Sequence, residues 1–307
     1  MQCDCGPRMM TGNPTEPNPP LVSFIVPALN EEHYIADCIS ALKAQRVPGS
    51  AEIIVVDNGS IDRTGDVAKL NGARVVLQPV RGLAAARQAG LEHAAGSVII
   101  YVDSDSRLAD GWAAYVCDRF FQDSRLVAVS TAFNFHDGRA VDQIGNSIFQ
   151  RMLCPMVNCA LRVLNRPDIV IGSAFAVRAE ALRRAGGVDQ RFQFYGEDTM
   201  IALKLASEGQ VRYFGAPRYA TSARRYQEQG ILPVVFRYFI MFAMLQLGQI
   251  SAARSLANTF AGRKARNGAT VVPGPATASE ASGLQADIGG GLVLSGEASS
   301  GTLFAVD

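Results

Sequence analysis

An α/β fold with a mostly parallel sheet between helices is what this sequence predicts, on three observations. Short apolar runs rich in β-branched residues recur at 21–26, 52–56, 73–77 and 97–102. Segments with helical apolar spacing separate them, which gives the β-α-β-α-β-α-β order of a helix-covered parallel sheet. Three of the four runs end in acidic or amide groups: Asn30 after the first, Asp57 at the second, Asp103 and Asp105 at the fourth. Ligands of open parallel sheets bind beyond the carboxyl ends of the strands, so these groups should share one crevice.

Each element has its own signal. Residues 1–20 are polar and proline-rich, which predicts a disordered arm without the apolar core of a secretion signal. The strand over 21–26 is closed by Pro27. Asn30 is placed to cap the next helix, with Glu31 and Glu32 in a first turn where the helix dipole favours acids. Ile35, Cys38, Ile39 and Leu42 recur at helical spacing, and Pro48-Gly49 ends that unit. The strand over 52–56 runs into Asp57-Asn58-Gly59-Ser60. A helix from near Asp62 leads to the strand over 73–77, and an alanine-rich helix follows over 82–95.

Beyond Trp112 the pattern loosens. A helix is followed by a strand over 126–131 and a mostly helical stretch over 143–164, which Pro155 interrupts. A strand-like run over 169–177 is broken by Gly172, and a short helix over 179–185 stops at Gly186-Gly187. Glu197-Asp198 opens another helix, and a strand over 211–214 follows. Residues 231–245 are strongly apolar but too short for a bilayer span of about 20 residues. Arg224 and Arg225 precede them, and Arg254, Arg263, Lys264 and Arg266 follow. That suits an amphipathic helix lying in a membrane interface, with packing on the α/β domain as the alternative. The composition past Gly268 predicts a low-complexity tail.

Composition excludes several classes. The 307 residues are 48% apolar, enough for one large domain or two small ones. A formal net charge of +1 leaves no electrostatic footprint for nucleic acid. Six cysteines without matched CxxC pairs argue against zinc and for a reducing compartment. No Gly-x-Gly-x-x-Gly or P-loop signature follows a strand. His33, His93 and His136 lie in unlike contexts and suggest no Ser-His-Asp arrangement.

The chemistry concentrates at Asp103-Ser104-Asp105. Two crowded carboxylates repel unless a cation sits between them. A hard cation such as Mg²⁺ or Mn²⁺ takes one or two carboxylates and leaves its other positions to water and phosphate. The pattern points to a metal–diphosphate site, with an ordinary surface turn as the bland alternative.

Five motifs stand in order: Val26-Pro27-Ala28-Leu29-Asn30-Glu31-Glu32, Asp57-Asn58-Gly59-Ser60, Gly82 to Arg87, Asp103-Ser104-Asp105, and Gly196-Glu197-Asp198. The set resembles the family 2 glycosyltransferases, inverting enzymes of the GT-A fold, from about residue 21 to 219. The resemblance implies that Pro27, Ala28, Asn30, Glu31 and Asp57 hold the nucleoside. Gly82 would admit the nucleotide close to the backbone, with Arg87 beside the same pocket. Asp103 and Ser104 would meet the ribose or metal, and Asp105 would be the main ligand of Mg²⁺ or Mn²⁺. Asp198 would be the catalytic base and Glu197 its neighbour. The implied partners are a nucleotide-sugar donor, UDP-linked before GDP- or dTDP-linked, and a saccharide or lipid-linked acceptor. The setting expected is cytoplasmic, with peripheral contact at the membrane face.

The expected division is a disordered arm over 1–20, a GT-A domain over 21–222, an apolar and basic helical region over 223–266, and a tail over 267–307. Within the GT-A domain the nucleotide half is 21–106 and the acceptor half 107–222. The chain has Arg224-Arg225-Tyr226 in place of the Gln-x-x-Arg-Trp motif of processive members, and Arg81-Gly82 where many members carry Asn-x-Gly. A sugar nucleotidyltransferase would want a glycine-rich, lysine-containing loop after the first strand. A non-catalytic nucleotide-binding protein is the other alternative.

Overall fold

Seven strands form one sheet: β1 (Val22–Ala28), β2 (Ala51–Asp57), β3 (Arg74–Leu77), β4 (Val98–Val102), β5 (Leu126–Phe135), β6 (Ala174–Arg178) and β7 (Gln210–Thr221). This computed structural model describes residues 21–192 and 195–266; the expected arm and tail lie outside the described residues. The strand order is β3-β2-β1-β4-β6-β5-β7. β6 alone runs against the rest, antiparallel to β4 and β5, while the other pairings are parallel. The reversal matters: it brings the entry of β6, at Gly172 and Ser173, to the carboxyl end of β4.

Helices cover both faces, as the burial of every residue of β1 requires. Phe24 and Val26 join a core with α1 (Ile35–Lys43), α2 (Thr64–Leu70) and α4 (Trp112–Gln122). Ile25 points the other way, into a core with α3 (Leu83–His93), α7 (Ala179–Arg184) and α8 (Glu197–Leu205). Both clusters are apolar throughout, so burial of this surface drives assembly.

Two local expectations are corrected. β1 does not stop at Pro27 but pairs with β2 through Ala28. Its pairing with β4 ends at Ile25, so on that side the missing proline N–H costs no ladder bond. Asn30 is not a helix cap. It sits at φ 57° five residues before Ile35, the first residue of α1, and its side chain accepts from Ile61 N at 2.9 Å. Asx side chains tolerate that left-handed conformation better than most.

The long helical stretch is α5 (Ala140–Ile148), a π turn over Phe149–Leu153 and α6 (Cys154–Val163). Pro155 sits in the first turn of α6, where its missing N–H disturbs the ladder, and the π turn precedes it. After β7 come α9 (Arg224–Gln229), α10 (Ile231–Gln246) and α11 (Ile250–Arg266). α10 is two-sided. Met241 and Leu245 are buried with Phe192, Tyr195 and Met200 at the start of α8, whereas Leu232, Val235, Phe236 and Phe239 are exposed. Among the described residues no helix is long and apolar enough to cross a membrane.

Candidate active site

The carboxyl ends of β1, β2 and β4 do meet. Asn58 N donates to Ala28 O at 2.9 Å, Ser60 N to an Asp57 carboxylate oxygen at 2.8 Å, and Asn30 N to Ser60 Oγ at 3.0 Å. Asn30 and Asp57 therefore line one corner although 27 positions separate them. Asp57 itself is nearly buried, as are Pro27 and Ala28. Asn58 ties this corner to the next loop. Its amide donates to Gln78 O and Val80 O, and its oxygen accepts Gly82 N at 2.7 Å. Gly82 has φ 144°, a conformation open to glycine and strained for other residues.

Asp103 and Asp105 flank the turn after β4. Asp103 N donates to Ser173 O at 2.9 Å, which ties the turn to the reversed strand β6. Ser104 is buried between them. The Asp105 carboxyl lies 3.6 Å from Arg224 Nη2, which also bonds Glu31 Oε1 at 2.8 Å. The other Glu31 oxygen is buried with no hydrogen-bond partner. Burial and the nearby Asp103 push the Asp105 carboxyl up to about 7, against the pull of Arg224.

A second arginine joins the loop after β4 to the start of α8. Arg87, on α3, is fully buried. Its guanidinium bonds Glu197 Oε1 at 3.2 Å, Asp103 at 3.4 Å and Gly172 O at 2.6 Å. The rings of Phe175 and Tyr101 flank it at 5.3 Å and 5.8 Å. Its guanidinium thus faces both the carboxylate after β4 and the one at the start of α8. Three acceptors and two ring faces converge on this buried cation, while its Nε has no hydrogen-bond partner among the described residues.

Glu197 and Asp198 open α8. Burial, then the neighbouring Asp198, pushes the Glu197 carboxyl up to about 7, with Arg87 opposing. Burial also raises Asp198, again against Arg87. Thr199 N donates to Asp198 Oδ1 at 2.6 Å, which leaves Oδ2 facing Gly172. A Cβ at position 172 would lie 3.1 Å from that oxygen and 3.4 Å from Arg87 Nη2, so the close approach depends on glycine.

Sequence reasoning misses three participants. His136 Nε2 lies 3.2 Å from Asp105 O. Asp137 accepts from Ser222 Oγ and Ala223 N, fixing the turn that presents Arg224. Both follow β5, and the carboxyl-end rule finds them once that strand is carried past residue 131. Gly172 reads in the sequence as a strand breaker only. Among the described residues no group of three or more His, Cys, Asp or Glu is arranged to hold a metal ion. A cation here would rest on one or two carboxylates, with phosphate and water supplying the rest.

The chain is similar to known proteins in sequence and in fold. The family described as Glycosyl transferase family 2 matches residues 23–186. Glycosyltransferase AglE of Haloferax volcanii is 34% identical over 100 residues, covering 30% of this chain and 33% of AglE. The succinoglycan biosynthesis protein ExoA of Rhizobium meliloti is 25% identical over 235 residues, 70% of this chain and 66% of ExoA. This chain spans only about a third of the length of the curated relatives it matches at 33–38% identity. Among solved structures, glucosyl-3-phosphoglycerate synthase of Mycobacterium tuberculosis, in complex with Mn²⁺, UDP and phosphoglyceric acid, superposes with TM-score 0.54. The identity is 22%, over 75% of this chain and 79% of that one, a likeness of fold.

Proposed function

The chain belongs to glycosyl transferase family 2, and on that premise we propose that it moves a sugar from a nucleotide-sugar donor to an acceptor hydroxyl, with inversion and with Asp198 as base. The observation that carries the reading is Arg87. One buried cation bonds both Asp103 in the loop after β4 and Glu197 at the head of α8, so the donor-side and acceptor-side carboxylates belong to one site. In this reading the catalytic domain covers 21–222, with its nucleotide half over 21–106 and its acceptor half over 107–222.

The residues fit a divalent cation. Asp105 is a half-buried carboxyl that desolvation and the neighbouring Asp103 push up to about 7, and Arg224 is a cation that reaches it. Asp105, with Asp103, would hold Mg²⁺ or Mn²⁺. When bound, such an ion supplies positive charge to a departing diphosphate without proton transfer. Asn30, Asp57 and the Gly82 backbone line the corner proposed for the nucleoside, with Pro27, Ala28 and Ser104 buried behind them. The crystallised complex of the synthase with UDP and Mn²⁺ makes a UDP-linked donor the first candidate.

Asp198 then handles the acceptor proton. As the hydroxyl oxygen attacks the anomeric carbon, its proton passes to Asp198 Oδ2, the oxygen that Thr199 leaves free. Positioning by the helix and by Arg87 contributes more than basicity, because a carboxylate is a weak base. Glu197 accepts Arg87 and keeps the first turn of α8 in register with the loop. The acceptor proposed is a saccharide, consistent with the polysaccharide named for ExoA, or a lipid-linked saccharide reached by the exposed apolar face of α10. The free cysteines suit a cytoplasmic setting at the membrane face.

A donor screen tests this. Nucleoside diphosphate release is measured with UDP-, GDP- and dTDP-sugars, with and without Mn²⁺ or Mg²⁺, in the presence of saccharide acceptors. Release from one donor class only when metal is present, with an inverted product by NMR, is expected. A retained anomeric configuration, or equal release after chelation, would sink the mechanism.

A further inference from the structure

The stretch from α5 through α6 is built inside out. A surface helix ordinarily turns its apolar stripe toward the core. Here much of the inward face is polar: Asp142, Asn146, Gln150 and Asn158 are all nearly buried, with Cys154 and Leu161 the fully apolar or thiol side chains among them. Their partners lie on the sheet, along the same segment or in the loop that follows it. Asn146 donates to Phe133 O at 2.9 Å, Gln150 bonds the Tyr213 hydroxyl, and the Asn158 oxygen accepts Ile169 N at 2.8 Å. Asp142 accepts from Arg139 N at 2.9 Å.

The outward residues are apolar. Val141, Ile144, Ile148, Met152, Met156 and Val163 are 50–78% exposed. Their steps of three, four and seven residues place them on one line of a helix. The π turn over Phe149–Leu153 lies within that line. The stripe covers 23 residues, about 35 Å at helical rise, and a continuous apolar face of that size marks an interaction site.

Charge decides the partner. The acids of the segment and its exit, Asp142 and Asp168, are buried and engaged by Arg139 and Arg162. Arg151 and Arg166 are exposed and form no ion pair among the described residues. A second copy meeting this face across a two-fold axis would set the same basic surface against itself. An anionic lipid surface attracts it, and arginines beside an apolar stripe can extend to headgroups while their stems stay in contact with the acyl boundary.

We propose that the outer face of α5, the π turn and α6 is a docking surface for a lipid bilayer carrying anionic headgroups. It is separate from the α10 face and independent of the transfer chemistry. It also begins at the site: Asp137, three residues before α5, holds the turn leading to Arg224 and accepts Gln227 from α9. A bilayer seated on the stripe would lie beside the crevice.

The test is cosedimentation of the full chain with vesicles of equimolar phosphatidylglycerol and phosphatidylcholine, and with phosphatidylcholine alone. Binding to the mixed vesicles is expected. The triple variant Ile148→Ser, Met152→Ser, Met156→Ser should lower the bound-to-free ratio by on the order of tenfold or more. Arg151→Gln with Arg166→Gln should weaken binding to the mixed vesicles and leave the neutral ones unchanged. Phe236→Ser with Phe239→Ser on α10 serves as the comparison. The triple variant should melt where the parent does, because it replaces exposed side chains. Four results overturn the proposal: no binding by the full chain; binding by the triple variant within about twofold of the parent; a melting temperature that collapses, showing the residues packed; or a parent dimer that the triple variant makes monomeric in light scattering.

Discussion

Replacing Arg87 with methionine keeps most of its volume and removes the cation between Glu197 and Asp103. The guanidinium is fully buried and makes three hydrogen bonds, so Glu197, which is buried with it, loses its charged partner out of reach of water. Breaking a buried ion pair from one side costs about 3–5 kcal/mol. The loss should depend on pH, because Glu197 has an escape. In the parent its carboxyl stands at about 7, above the ordinary glutamate value, so its proton stabilises the fold at low pH. That contribution is lost as pH rises through about 7. Without Arg87 the folded value rises further, and Glu197 stays protonated where the parent has ionised. If the rise is a unit or more, the destabilisation measured near pH 8 exceeds that near pH 6 by roughly 1 kcal/mol. Urea titrations of parent and variant at both pH values read this difference. Turnover at saturating donor should fall with it, because Asp198 shares the first turn of α8 with Glu197. Arg87→Lys should restore part of the stability and little of the turnover, since one ammonium cannot span three acceptors in a fixed plane. A destabilisation below about 1 kcal/mol, or one equal at the two pH values, would refute the claim that Arg87 compensates a buried carboxylate.

Three further outcomes follow from the same geometry. Asp198→Asn should lower kcat by on the order of 10²–10⁴ with donor affinity nearly intact, read by single-turnover kinetics and by donor titration; near-normal turnover would show that the base is misassigned. Asp105→Asn should abolish Mn²⁺-dependent donor binding in calorimetry while leaving the metal-free protein as stable as the parent or more so. The parent carboxyl is desolvated beside Asp103, and the amide removes that charge. Gly172→Ala places a methyl 3.1 Å from Asp198 Oδ2 and should reduce kcat by about tenfold or more with a smaller effect on donor binding; unchanged kcat would show that the close approach is idle.

Much of this protein is legible in its chain alone. The alternation of β-branched runs with helical spacings implies a parallel sheet, because each pattern can bury its apolar face in only one kind of layer. The acids at strand ends then share a crevice by topology, as Asn30 and Asp57 do through Ser60. Local sequence also marks the ends of α7 and the place where Pro155 disturbs the long helix, since proline and glycine act through their own backbones.

Tertiary structure decided what depends on partners distant in sequence. The sequence marks Arg87 as a residue near the nucleotide pocket, but only the reversed strand β6 brings Gly172 O beside Asp103 and Glu197 around it. Asn30 reads as a helix cap, yet its oxygen serves Ile61 across 31 positions instead. His136 and Asp137 look ordinary until β5 and β7 pair and set them beside Asp105 and Ser222. The segment from α5 to α6 shows the limit most sharply. Its periodicity announces a helix with an apolar side, but periodicity is blind to which side faces inward. That was settled by buried acceptors and donors, Phe133 O and Tyr213 on the sheet and Ile169 N in the loop before β6, which claim the polar side and leave the apolar one outside.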